Sequence, residues 1–320
     1  MSSSLRRQAV SAALWLSALY VAMAGVIGAA IATGHHVTFD IVATLKAVAI
    51  SAAFGLLALI GAKDAPRPAR ISASFLLLWM GGVAGGIICM VGAMFGASYV
   101  DPWLAAADHT LGISAADVVR VVVATPFAPS ILYTMYFLSV ILLFLTGIAL
   151  ALLGRTERLW EFCASYCFCL LGATVCSIFV PAIGAFDYLG LGAAYSAHFP
   201  PGAGVYYLSA LQTVHGASSV VINPFGLQGI VTFPSFHTSM ALMTAAAWRG
   251  DRYLHWPMMI WNALIILSAV PIGGHYLVDL VGGAALWLAI FRYGPGWAEA
   301  LIRLRRHAPA YLSAQDPELT

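Results

Sequence analysis

Apolar residues run almost unbroken through eight stretches of this chain, near residues 9–33, 45–62, 72–98, 128–153, 162–182, 231–249, 254–272 and 275–293, with polar residues gathered between them. Each stretch approaches the ~20 residues that a helix needs to cross a ~30 Å hydrocarbon core. The pattern predicts an all-α integral membrane protein with eight transmembrane helices. Pro257 and Pro271 fall near the two ends of the seventh stretch, where they bound a helix rather than break it. Two connections carry patterns of their own. Residues 101–124 interleave Leu104, Leu111, Val118, Val119 and Val122 with Asp108, His109, Asp117 and Arg120, which predicts an amphipathic helix lying on the outer surface. Residues 184–230 hold Asp187, His198, His215, many glycines and the aromatic Phe186, Tyr188, Tyr206 and Tyr207. Their length predicts a structureless lid or binding segment.

Composition agrees with a bilayer protein: 61% of the residues are hydrophobic and 9% are charged, against about 25% charged in soluble domains. The mean hydropathy is +0.89. Charge placement then orients the spans. With the N-terminus inside, Arg6, Arg7, Lys63, Arg67, Arg70, Arg155, Arg158, Arg249, Arg252, Arg292, Arg303, Arg305 and Arg306 all fall on the cytoplasmic side. That is 13 of the 15 Lys and Arg residues, leaving Lys46 and Arg120 outside, as the positive-inside rule expects. Both termini are therefore expected in the cytoplasm. The chain divides into a three-span region with the amphipathic helix (1–125), a core holding the remaining five spans (126–295) and a cytoplasmic tail (296–320). Arg6, Arg7 and the run Ala30-Ile31-Ala32 imitate a cleaved signal, but the apolar stretch exceeds the usual 7–15 residues and reads as a retained helix. The bare Arg-Arg start points to a bacterial inner membrane. A net charge of +2 with no basic, aromatic-interleaved run gives no nucleic-acid surface.

Cys163, Cys167, Cys169 and Cys176 cluster in the fifth stretch, with Cys89 in the third. They read as small packing residues between helices. Gly81, Gly82, Gly85 and Gly86 form two overlapping small-xxx-small pairs; these read as close helix packing within the molecule, with a dimer face as the alternative.

The candidate chemistry sits in two short segments, Pro234-Ser235-Phe236-His237-Thr238 and Gly273-Gly274-His275-Tyr276-Leu277-Val278-Asp279. Each begins an apolar span at the same membrane face, where ionisable groups are costly and mark function. Asp279 follows His275 by four residues and shares its helical face. A carboxylate there accepts the imidazole Nδ1–H, fixes the tautomer and leaves Nε2 as the lone-pair donor. His275 thus has the form of an oriented nucleophile on phosphorus, and His237 that of the acid protonating the departing oxygen. Pro234 and the Gly273-Gly274 pair predict two helix N-termini with unpaired N–H groups for a phosphate. Ser235, Thr238, Gly273, Gly274 and His215 are the candidate substrate contacts. A metal site made from the trio is disfavoured, because zinc wants a closed set of three or four ligands; no metal or other cofactor is expected.

These two segments resemble motifs of the type 2 phosphatidic acid phosphatase superfamily. Residues 274–283, Gly-His-Tyr-Leu-Val-Asp-Leu-Val-Gly-Gly, are most similar to the branch of inositol phosphorylceramide synthases and their bacterial relatives. The resemblance covers roughly residues 165–293. It implies a six-helix-type core with its active site at the non-cytoplasmic face, a phosphohistidine on His275, Asp279 as its partner and His237 as the acid. The implied substrate is a lipid phosphate or phospholipid, and the implied acceptor is water, a polyol or a sugar alcohol. Three features depart from the phosphatase pattern. No Lys-x6-Arg-Pro motif is present, Ser268 is followed by Ala269 rather than Arg, and Phe236 stands in place of the central Gly. Phosphate binding is then left to backbone N–H groups, to His198, His215 or Gln212, and to Arg120. The rival reading is a transporter that relays protons through the same His and Asp groups; it predicts charges deep inside spans and helices broken at mid-membrane.

Overall fold

The structure is a computed structural model that describes residues 3–231 and 233–307. Residues 308–320 of the expected tail, and Thr232 in the sixth stretch, lie outside the described residues. The chain is 73% helical. In order it forms α1 (Ser3–Ala32), β1 (His36–Phe39), α2 (Ile41–Asp64), α3 (Pro66–Ala93), α4 (Asp101–Thr110), α5 (Ala115–Ala124), α6 (Ala128–Leu152) and α7 (Thr156–Phe179). There follow the short α8 (Ala185–Tyr188) and α9 (Leu191–Tyr195), a 3-10 turn at Ser196–His198, α10 (Leu208–Val214), β2 (Ser219–Ile222), α11 (Phe236–Ala247), α12 (His255–Ala269) and α13 (Leu277–His307).

Among the described residues, six helices are long and apolar enough to cross a membrane: Val10–Ala32, Ile41–Ala62, Pro66–Ala93, Ala128–Leu152, Thr156–Phe179 and Leu277–Gly294. The chain is thus an all-α membrane protein in its main architecture. The sixth and seventh expected spans are shorter helices, α11 of 12 residues and α12 of 15, about 18 and 22 Å long. The reason is local. Ser235 caps α11 by accepting from Thr238 N–H, which leaves the start of the apolar run as loop. Residues 270–276 likewise leave the helical path before α13.

Contacts sort the connections into two ends. At one end Arg70 Nη1 donates to Thr156 Oγ1 at 3.0 Å, Arg155 pairs with Asp251, and Arg249 Nη2 pairs with Glu161 Oε2 at 2.8 Å. At the other, β1 and β2 pair in parallel, His36 opposite Ser219. There too Val100 N–H donates to the Pro181 carbonyl, and Gly204 N–H to that of Ile272. The expected long structureless segment 184–230 is therefore built: three short α-helices, a 3-10 turn and a strand tied to the α1–α2 connection. The two strands were not foreseen, since four-residue stretches leave little periodicity to read.

The main core joins α1, α3, α6, α7, α11 and α13 through Leu19, Leu78, Leu150, Leu159, Phe162, Cys163, Met240 and Ile290. Cys89, Cys163, Cys167 and Cys169 are buried thiols without disulfides. A Cβ on Gly81 would meet Tyr166, and one on Gly85 would meet Leu170, so these glycines serve packing of α3 on α7.

The expected single amphipathic helix at 101–124 is two helices, α4 and α5, separated by Gly112 at φ +76°. α4 does not simply float on the surface. Asp101 and Asp108 are only 1% and 2% exposed, whereas Trp103 is 78% exposed. The acids point into the protein and the indole points away from it.

Candidate active site

His237 is the second residue of α11, and Asp279 lies in the first turn of α13. The two helices touch closely: a Cβ on Gly283 would run into the Ser235 carbonyl, and Ser239 Oγ donates to Gly283 O at 2.7 Å. Ser235 N–H also donates to the Asp279 carbonyl at 2.9 Å. The sequence brings these backbones together by placing glycine and serine at the crossing.

His275 stands two residues before α13 rather than on its first turn. The expected pairing is nevertheless present. His275 Nδ1 lies 3.1 Å from Asp279 Oδ2, which also accepts Tyr276 N–H at 2.9 Å. Both side chains are buried, at 2% and 0% exposure. With Nδ1 committed, Nε2 is the free nitrogen, and Ser235 Oγ lies 3.4 Å from it. The His237 and His275 ring centroids are 6.4 Å apart, with the rings at 62° to one another. Two imidazoles and one carboxylate therefore converge at one end of the bundle.

A cavity of about 380 Å3 opens from this point. His237, His275, Gly273, Tyr136, Tyr206 and Tyr207 line it, and most of the remaining wall is apolar. Tyr136 was not singled out by sequence reasoning. Its ring stacks on His237 at 4.1 Å, and its hydroxyl lies 3.2 Å from His237 Nδ1 and 2.9 Å from the Tyr206 hydroxyl. A hydroxyl-bearing ring within an aliphatic span was the one visible sign.

Asp101 and Asp108 were also missed as site residues, and they hold the site from behind. Asp108 accepts Leu277 N–H at 2.9 Å and Val278 N–H at 2.8 Å, so it caps α13 from another helix. Asp101 accepts from Ile183 N–H, Gly184 N–H and the Tyr276 hydroxyl, each at 2.9 Å. Burial pushes the Asp108 carboxyl above the ordinary range, and its two N–H donors act in the opposite direction. A signal did exist. Asp101, Leu104, Asp108 and Leu111 fall at i, i+3, i+7 and i+10, so the acids share a face with apolar residues.

The anticipated cradle at Gly273-Gly274 is closed. Gly273 N–H and Gly274 N–H donate to the carbonyls of Ser268 and Val270, and Asp108 takes the first N–H groups of α13. Gly274, at φ +73°, instead permits close packing: a Cβ there would meet the Gly204 carbonyl at 2.5 Å and the Tyr207 hydroxyl at 2.8 Å. At α11, His237 N–H meets no acceptor among the described residues, so this helix start retains a donor. Thr238 is buried beside it with an unpartnered Oγ1.

His215 does not line this cavity. It stacks on Tyr99 at 4.3 Å, and its Nε2 lies 2.9 Å from the Ala97 carbonyl, at the wall of a separate small cavity. Arg120 pairs with Asp117 at 2.9 Å on the surface. His198 and Gln212 are exposed and also lie off the cavity wall. Among the described residues no group of three His, Cys, Asp or Glu side chains adopts a metal-holding arrangement.

Residues 102–293, more than half of the chain, match the family model described as the PAP2 superfamily. The chain belongs to the PAP2 superfamily. Its members are phosphoesterases and phosphotransferases, so membership points to phosphatase or phosphotransferase activity on a lipid phosphate in a membrane. The matched segment begins at the foot of α4 and takes in Asp108, which the sequence-based division had left in the N-terminal region. Neither the curated proteins nor the solved structures return a match.

Proposed function

We propose that this protein is a membrane lipid-phosphate phosphatase or phosphotransferase working through a phosphohistidine on His275. The observation that carries this reading is the His275 Nδ1–Asp279 bond, with the His237 ring 6.4 Å away, centroid to centroid, in a shared cavity. In the first step Nε2 attacks phosphorus, the bond to the departing oxygen breaks, and His237 gives that oxygen its proton. Asp279 stabilises the positive charge that appears on the His275 ring. The phosphate anion between the rings supplies the negative charge that keeps His237 protonated. In the second step water or an alcohol attacks phosphorus, His237 takes the proton, and the P–N bond breaks to return its electron pair to Nε2.

Tyr136 acts as a positioning residue. Protonated His237 would donate Nδ1–H to the Tyr136 oxygen, with the Tyr136 O–H in turn donating a hydrogen bond to the Tyr206 oxygen. Ser235 Oγ, 3.4 Å from His275 Nε2, and the His237 N–H would hold phosphoryl oxygens, since no Lys or Arg lines the cavity among the described residues. The Gly274–Gly283 sequence favours the inositolphosphotransferase-like branch, with a polyol or sugar alcohol as acceptor. The Arg-bearing end of the bundle would face the cytoplasm, leaving the histidines at the periplasmic face of a bacterial inner membrane.

The test is direct. A lipid phosphate labelled at phosphorus should transfer its label to the protein through an acid-labile, base-stable bond, and His275→Ala should remove the label. Label retained by that variant would refute the assigned nucleophile. Turnover should persist in a chelator, and strict loss with EDTA would favour metal chemistry instead.

A further inference from the structure

The cavity that begins at the histidines does not stay within the family-matched part of the chain. One wall is α3, residues Gly82, Gly85, Gly86 and Cys89, which precede the matched segment. Beside it α7, packed on α3 through Gly81 and Gly85, lines the cavity from Thr174 down to Tyr166, eight residues or about 12 Å of helix. Phe236 and Met240 of α11 complete the floor. On α6, Phe137 and Val140 line the same space while 41% and 49% exposed, so the cavity reaches the side of the bundle that meets the bilayer.

Gly82 is the telling residue. A mid-helix glycine is less favourable than alanine, so it needs a reason. Gly81 and Gly85 have one, since a Cβ at either would press on Tyr166 or Leu170 at 2.8 Å. Gly82 has no such neighbour: its Cβ would meet only the Tyr166 hydroxyl at 3.2 Å, and the residue is exposed although α3 is packed on both sides of it. What it faces is the cavity. A side chain at Gly82 would therefore occupy that space rather than disturb helix packing.

We propose that this space holds one acyl chain of the lipid phosphate, running from the histidine pair down between α3, α7 and α11, and that Gly82 sets how long a chain fits. This rests on the lipid-phosphate reading above and extends it. α3 becomes a wall of the substrate site, which gives the N-terminal spans a part in specificity. An apolar, laterally open space of this size, continuous with the reacting group, suits a hydrocarbon tail rather than a polar ligand. The headgroup stays at the imidazoles and the tail keeps its apolar surroundings.

The experiment compares lipid phosphates of graded acyl length with purified wild type, Gly82→Leu and Val140→Trp, the last narrowing the same cavity from the exposed face of α6. Both variants should lose at least about tenfold in kcat/KM for long-chain relative to short-chain substrates, the discrimination expected for methylenes that no longer fit. Turnover of the shortest substrate should be retained, which also reports folding. An unchanged chain-length profile in either folded variant overturns the tail site. Wild type that turns over none of these substrates defeats the lipid-phosphate reading itself, a separately visible outcome.

Discussion

The two histidines of the site are held in opposite ways. His275 is locked: its Nδ1 is on Asp279, its own N–H is bonded to the Ala269 carbonyl, and its ring is 2% exposed. The helix behind it is capped by Asp108, and its neighbour Tyr276 is tethered to Asp101. Among the described residues the His237 ring has one hydrogen-bonding partner, the Tyr136 hydroxyl, which also belongs to the ring stacked on it, and it borders the open cavity. The contrast fits the proposed division of labour. A nucleophile must present one nitrogen in one tautomer along one line of attack. A group that gives and then takes back a proton must reach a leaving oxygen, an incoming hydroxyl and water in turn, so a looser mount serves it.

The largest way to break this comparison is to remove each ring. His275→Ala should lower turnover by about six orders of magnitude, the scale of losing a nucleophile. His237→Ala should cost about 10²–10⁴, the worth of general acid–base help. Rapid-quench kinetics with a labelled lipid phosphate checks both, and equal losses would erase the assigned asymmetry. Asp279→Asn keeps the shape but not the charge, and should cost up to about four orders of magnitude in kcat. The loss should be smaller for a substrate with a better leaving group, for which less charge builds on the ring.

Tyr136→Phe sharpens the other side. It removes the acceptor for Nδ1–H of protonated His237 while keeping the stacked ring. The protonated form is then less favoured, so the basic limb of the pH–rate profile should move to lower pH. A roughly tenfold fall in kcat should accompany it. A change in rate with no movement of the profile would assign Tyr136 a packing role only. Asp108→Ala is the smallest. Losing a cap should destabilise the protein by about 0.5–2 kcal/mol, read as a lower midpoint in thermal unfolding, with a weaker effect on activity than any ring substitution.

How much of this was legible beforehand depended on distance along the chain. The His275–Asp279 contact spans four residues, and Ser235, His237 and Thr238 sit within one turn, so local periodicity placed them. Most of the membrane helices were legible too, because a run of apolar residues forces backbone groups to bond internally wherever it lies in a bilayer. Other contacts gave no local signal. Tyr276 and Asp101 are 175 residues apart, and Tyr136 and His237 are 101 apart. Gly273 and Gly274 were legible as special but not in what they do: the sequence pointed to an open anion cradle, whereas their N–H groups bond the Ser268 and Val270 carbonyls and Asp108 takes those that open α13.

By itself, then, the chain dictated its apolar helices, their alternating charges and the imidazole–carboxylate spacing, since these follow from transfer free energies and helical geometry within a few residues. Only the tertiary structure decided that an acidic face of α4 turns inward to cap α13, that α3 forms a wall beside the histidines, and that His215 and Arg120 stand apart. Those outcomes depend on which distant surfaces meet, and buried polar groups must find partners wherever the packing offers them.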